Sequence, residues 1–187
     1  MSPGETMGGW PDSAHVFIDE SKARDYTIVA ATLAPAAVTD TRSAVRSLRH
    51  KGSPSIHMRK ESPSTKSKII QGFKGLRLST YILRCDEPGL SELERRTRCL
   101  DRLLDLCAQE HASRLTIERD ESLFHWERQY FVEAVRQRQM RDNFEYTWRN
   151  RNEEPLLWVP DAVAWSYAKG GKYRADIQPL VCGSEAV

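Results

Sequence analysis

His15-Val-Phe-Ile-Asp-Glu-Ser21 is followed, after four residues, by Tyr26-Thr-Ile-Val-Ala-Ala-Thr-Leu33, and these two runs decide the fold. Both are rich in β-branched, aromatic and small apolar residues and are bounded by polar ones, the pattern of strands buried in a sheet. The link Lys22-Ala23-Arg24-Asp25 is a turn, too short for a parallel crossover, so the pair is expected as an antiparallel hairpin. Pro35 ends the second run.

Beyond the hairpin, helices and strands alternate. A helix is expected over 36–49, with Val38, Val45 and Leu48 on one stripe. Gly52-Ser53-Pro54 break it, and 55–60 is expected to be extended. Ser62-Pro63 is a helix start, a hydroxyl cap with proline at the first helical position. That helix should stop at Gly75, and Leu76–Cys85 reads as a third strand. In 91–112, Leu93, Thr97, Leu100, Leu103, Leu104 and Cys107 recur at helical steps, with Glu92, Arg95, Arg96, Arg102 and Asp105 opposite. Arg114–Glu118 is a fourth strand, 124–139 a helix, 143–148 a fifth strand and 160–168 a last helix. The expected fold class is α/β, a mixed sheet opened by an antiparallel hairpin, with helices on its faces. The expected organisation is a disordered leader over 1–12, one domain over 13–182 and a tail over 183–187.

With 187 residues and 40% hydrophobic content, the chain can bury a core without metal or disulfide staples. The cysteines Cys85, Cys99, Cys107 and Cys182 are scattered, which argues against a structural zinc site and suits a reducing cytoplasm. No apolar run approaches the roughly 18 to 20 residues needed to span a bilayer. The net charge of +2 hides an asymmetry: between Thr41 and Arg77, ten basic residues face one acid, Glu61, a local +9. Such a block suits a polyanion, with nucleic acid the expected partner, although a solvated helix face has the same composition. P-loop, G-x-S-x-G and H-E-x-x-H motifs are absent from the sequence.

The chemistry-bearing residues are acids at the ends of elements. Asp19 closes the first strand and Glu20 follows it; Glu118 and Asp120 end the fourth strand; Asp161 lies in the first turn of the last helix. If the first and fourth strands run parallel, Asp19 and Glu118 or Asp120 emerge at one edge. Converging carboxylates need neutralising, and Mg²⁺ or Mn²⁺ is the usual solution for oxygen donors. Each acid also has a plainer role, in a turn, at a hairpin rim or at a helix dipole. His57 and Glu61 are spaced H-x-x-x-E, but Ser62-Pro63 places Glu61 before a helix, so a helical metal pair is not expected. His57 suits proton transfer or a phosphate contact, and Arg59, Lys60, Lys66 and Lys68 suit phosphates. Trp158 and Trp165 bracket Asp161; packing is their ordinary use and base stacking the alternative.

Phe17-Ile-Asp-Glu-Ser21, Ser55-Ile-His-Met-Arg-Lys-Glu61 and Pro155-Leu-Leu-Trp-Val-Pro-Asp-Ala-Val-Ala-Trp165 together resemble the domain-of-unknown-function 3800 family, over about Ser13 to Val181. That family is regarded as RNase H-like. It opens with an I-D-E-S-type strand and closes with an aspartate in an L-x-x-A-D-type helix. The resemblance implies that Asp19 and Asp161 are metal ligands, with Glu118 or Asp120 as the fourth-strand acid. Pro160 stands where the family often has alanine. The expected function is a divalent-metal-dependent nuclease, a phosphodiester hydrolase with Asp19, Glu118, Asp120, Asp161 and His57 at its catalytic site. Glu20 and Glu61 are secondary candidates. The alternative is a catalytically silent nucleic-acid-binding or protein-interaction module on the same fold.

Overall fold

A computed structural model describes residues 9–22 and 25–187. Residues 1–8 of the expected leader, and residues 23 and 24 of the expected turn, lie outside the described residues. Strands β1 (His15–Ser21) and β2 (Tyr26–Leu33) pair antiparallel with Ile18 opposite Ala30, so the hairpin is as expected. β3 (Ser79–Cys85) continues antiparallel on β2, and β4 (Arg114–Glu118) lies parallel to β1 on its other side. β5 (Glu145–Arg149) and β6 (Val181–Ala186) add parallel edges, giving a six-stranded sheet in the order β5-β4-β1-β2-β3-β6. Every residue of β2 is buried, as a central strand covered on both faces requires.

Side chains alternate across these strands. Val16, Ile18, Ile28, Ala30, Leu115 and Ile117 pack with helices α3 (Glu92–Gln109) and α4 (Phe124–Gln137). Phe17, Val29, Ala31, Leu33 and Ile82 pack on the opposite face, under α1 (Val38–Ser47), α2 (Pro63–Lys74) and α5 (Trp158–Lys169). The local signals explain the helices. Ser62 caps α2 by accepting from the Thr65 N–H, and Ser91 with Glu94 forms a complete capping box on α3. A short α6 (Gly171–Ile177) follows α5. Among the described residues, no helix is long and apolar enough to cross a membrane.

Several expectations are corrected. Trp10, placed in the leader, is buried against Tyr81, because an indole has too much apolar surface to leave in water when a core lies within reach. The tail begins two residues after β6 starts, and that strand continues to Ala186. Gly183 permits it: a Cβ there would stand 2.2 Å from the Tyr81 ring. Residues 58–60 form a 3₁₀ turn rather than an extended run. On α3, Leu93 is 41% exposed, whereas Arg96, expected on the outer side, is buried.

Arg96 is buried because acids meet it from two elements. Its guanidinium contacts Glu20 of β1 and Glu127 of α4, and it donates to the Tyr26 hydroxyl. Glu127 is fully buried and also accepts from Trp148 Nε1 at 2.6 Å. Removing the cation alone leaves Glu127 without a cation and out of reach of water, and Glu20 with Lys22 in its place. Arg96→Met is therefore expected to destabilise the protein by about 3–5 kcal/mol in urea unfolding at neutral pH. Adding Glu127→Gln should recover part of that loss; a single-variant effect below about 1 kcal/mol would contradict the arrangement.

Candidate active site

The period-two alternation that sends Ile18 toward α3 sends Asp19 toward α5 and Glu20 back toward α3. On β4 the same rule puts Ile117 with Ile18 and Glu118 with Asp19. The parallel register pairs Ile18 with Ile117, so the two carboxylates leave neighbouring strands at the same level and on the same face. Parallel pairing is what makes this work, since it brings the C-terminal ends of β1 and β4 to one edge. Helix α5 packs over β1 and supplies Asp161 from its first turn.

One guanidinium joins two of these acids. Arg151, in the loop after β5, places Nη1 3.6 Å from Glu118 Oε1 and Nη2 3.3 Å from Asp161 Oδ2. It is held by donating to the Ile56 carbonyl at 3.2 Å, while its own carbonyl accepts from Trp158 Nε1 at 2.6 Å. Asp161 Oδ2 also accepts from the Met58 N–H at 3.2 Å, and His57 Nδ1 lies 3.7 Å from Asp161 Oδ1. The 55–61 segment thus touches the acid site through the backbone and through His57.

Negative charge remains in excess. Burial, then Glu118 and Asp161, raise the Asp19 carboxyl well above the usual range, against the weaker pull of Arg151 and Arg96. Burial also raises Glu118; Arg151 opposes that, while Asp161 and Asp120 add to it. Glu118 Oε2 is buried without a hydrogen-bond partner. Asp120 behaves differently: its Oδ1 accepts from the Ser122 N–H at 2.9 Å and hydroxyl at 2.6 Å, and the hydroxyl bond in particular lowers its pKa. Geometry therefore groups Glu118 with Asp19 and Asp161, and commits Asp120 to a turn beside them.

The other candidates divide. Glu20 is turned to the opposite face, bound to Arg96 and Tyr26 and paired with Lys22 at 3.0 Å. Glu61 follows the 3₁₀ turn and its carbonyl accepts from Lys66 Nζ at 2.5 Å. Lys66 is a correction: it is buried, with its ammonium 4.7 Å from the Trp165 ring centroid, and so is not free to meet a phosphate. Arg59, Lys60 and Lys68 are exposed. Sequence reasoning missed Arg151 and Arg96. Arg151 carries no periodic signal in its polar loop, whereas Arg96 lies three residues before Cys99 and four before Leu100, in phase with the core.

The donor chemistry fits a hard divalent cation: three carboxylates, one with an orphaned buried oxygen, two of them paired, among the described residues, with the single guanidinium of Arg151. Among the described residues, however, no three His, Cys, Asp or Glu side chains stand grouped as a metal ion needs them. Arg151 bridges Glu118 and Asp161 instead.

Asp19 has a testable consequence for stability. Its folded pKa is raised, so ionising it opposes folding at pH values above that pKa, and the penalty fades as pH falls through it toward the unfolded value of 3.8. In metal-free buffer Asp19→Asn is expected to stabilise the fold by on the order of 1–2 kcal/mol at neutral pH. Thermal melts across pH should show the gain vanishing in acid; a pH-independent difference would contradict this.

No family model and no curated protein sequence matches the chain. Among solved structures, the fold is similar to that in the PCNA:RNase HII complex from Archaeoglobus fulgidus, with a TM-score of 0.52 at 9% identity, covering 83% of this chain and 71% of that chain. At that identity the likeness speaks for architecture alone: the sheet, with its opening hairpin and flanking helices, is RNase H-like.

Proposed function

We propose that the chain is a divalent-metal-dependent nuclease of RNase H-like type, working in the cytoplasm, and that it is related to the domain-of-unknown-function 3800 family it resembles. The observation that carries this reading is the convergence of Asp19, Glu118 and Asp161, from two parallel strand ends and one helix start, with more negative charge than Arg151 offsets. Mg²⁺ or Mn²⁺ at these oxygens would supply Lewis acidity, lowering the pKa of a water and stabilising a leaving oxygen of the phosphodiester.

The chain's own residues do the rest. Asp19, Glu118 and Asp161 would hold the ion. Asp161 is fixed by the Met58 N–H, and His57 beside it is placed to contact a phosphate or hold a proton near the reacting group. Exposed Arg59, Lys60 and Lys68 extend a basic surface from the 55–61 segment, consistent with RNA or DNA as partner. Asp120 acts on Glu118 through charge rather than by ligation.

A second reading has one specific observation behind it. Arg151 already bridges Glu118 and Asp161, as a guanidinium would in a silent nucleic-acid-binding module that has replaced metal by a resident cation. A cleavage assay separates the two. With RNA, DNA and hybrid substrates, the wild type is expected to cut in Mg²⁺ or Mn²⁺ and not in EDTA. Asp19→Ala and Asp161→Ala should each lose more than about 100-fold, beyond the effect of removing a mere supporting partner of a ligand. Asp120→Ala should lose less than about 10-fold. Equal activity in Asp19→Ala and wild type, or no cleavage of any substrate, would leave the binding module standing.

A further inference from the structure

We propose that the groove beside the acid cluster, along α5, is a nucleobase subsite that takes one unpaired base of a single-stranded nucleic acid, stacked on Trp165 with its phosphate at Arg59. The proposal rests on the nuclease reading for the direction of the strand, and it names the substrate of that site. On α5, Asp161, Ala164 and Trp165 are spaced i, i+3 and i+4, so they share one helix face. The acid and the indole are therefore neighbours about 5–6 Å apart at their Cβ atoms. Ala164 between them keeps the floor of the groove low. The groove encloses about 620 Å³, within the range that a nucleotide-sized ligand fills.

The two tryptophans that flank Asp161 have separate roles. Trp158 is buried in the core, its indole N–H spent on the Arg151 carbonyl. Trp165 is only half-buried and lines the groove. It is also held in place: Lys66 lies against its ring, and Tyr173 packs edge-on with ring centroids 4.9 Å apart. A ring fixed in this way loses little freedom when a base stacks on it.

The walls complete a site for a polyanion. Lys22, His57 and Arg59 line the groove together with Ser21; Lys22 is engaged by Glu20 and Glu92, at 3.0 and 2.7 Å, so the exposed Arg59 is the wall cation that meets a phosphate. Of the two acids present, Glu20 is offset by Arg96 and Lys22, and Asp161 belongs to the reactive cluster. An aromatic platform beside cations is the recurring solution for single strands, because every base offers a π-face. A base inside a duplex cannot reach the indole without leaving its own stack.

The full-length protein is titrated, in EDTA and at one fixed salt concentration, against fluorescein-labelled oligo(rU) and oligo(dT) of about 12 nucleotides. The same lengths built from abasic residues serve as controls of equal charge. Fluorescence anisotropy should show base-containing strands bound roughly tenfold more tightly than abasic ones, the size of one base–aromatic stack. A larger ratio in the rU or the dT series supports the subsite and names its sugar. Trp165→Ala should bind both kinds at the abasic level, and Arg59→Ala should weaken both kinds equally. The wild-type comparison needs no variant to fold. Equal binding of base-containing and abasic strands by the wild type, binding of neither, or a preference that survives in Trp165→Ala overturns the subsite. Metal-dependent cleavage without base preference overturns the subsite and leaves the nuclease reading intact; base preference without cleavage does the reverse.

Discussion

The structure turns on the central position of β1, a strand buried on both faces through Ile18 and then charged at Asp19 and Glu20. From Val16 through Ile18 each side chain finds apolar partners under α3 and α4 on one side or α5 on the other. Strict alternation then sends Asp19 and Glu20 to opposite faces, and neither can retreat to solvent without breaking the hairpin register with β2 or the parallel register with β4. The fold therefore has to supply counter-charge on both sides of one sheet edge, and it does so unequally.

On the α3 face the compensation is thorough. Arg96 meets Glu20 and Glu127, Tyr26 joins the group, and Trp148 completes the bonding of Glu127. Lys22 adds a second cation at the rim. A buried network with this many partners fixes the spacing of β1, α3 and α4. On the α5 face three acids share Arg151, Asp19 has a raised pKa and one oxygen of Glu118 has no partner. A charge imbalance beside a charge-matched network is how a binding site differs from a structural ion cluster. Both are built from the same two consecutive residues.

The parts of this arrangement governed by short-range periodicity could be read from the chain. The hairpin, the capped helices and the exit of Asp19, Glu118 and Asp161 at element ends follow from alternation, caps and proline placement. Glu118 could not be separated from Asp120 in that way, because the choice depends on a serine two residues further on that captures Asp120. Charge ordinarily marks the outer face, so Arg96 is expected in solvent and Lys66 free for a phosphate. Arg96 lies in the helical phase of Cys99 and Leu100, and Lys66 lies three residues before Ile69 and four before Ile70, so periodicity contradicts that expectation at both positions. Arg151 and β6 had no such signal. One is a loop residue placed by tertiary contacts, and the other is a strand that depends on Gly183 passing under Tyr81.

The two arginines also differ in how firmly they are bound, and that difference bears on whether the acid site can exchange its cation. Arg96 is enclosed, and taking it from its carboxylates exposes buried charge, a loss of about 3–5 kcal/mol. Arg151 sits in a loop with its side chain 24% exposed, and its contacts to Glu118 and Asp161 are 3.6 and 3.3 Å, ion pairs without tight bidentate geometry. Longer contacts with a partly exposed guanidinium hold less firmly than the enclosed, close contacts of Arg96. A divalent ion brings twice the charge to the same oxygens, including the Glu118 oxygen that Arg151 leaves without a bond. Displacing Arg151 toward solvent is thus the smaller of the two costs, whereas displacing Arg96 would unmake the sheet edge on which the acids stand.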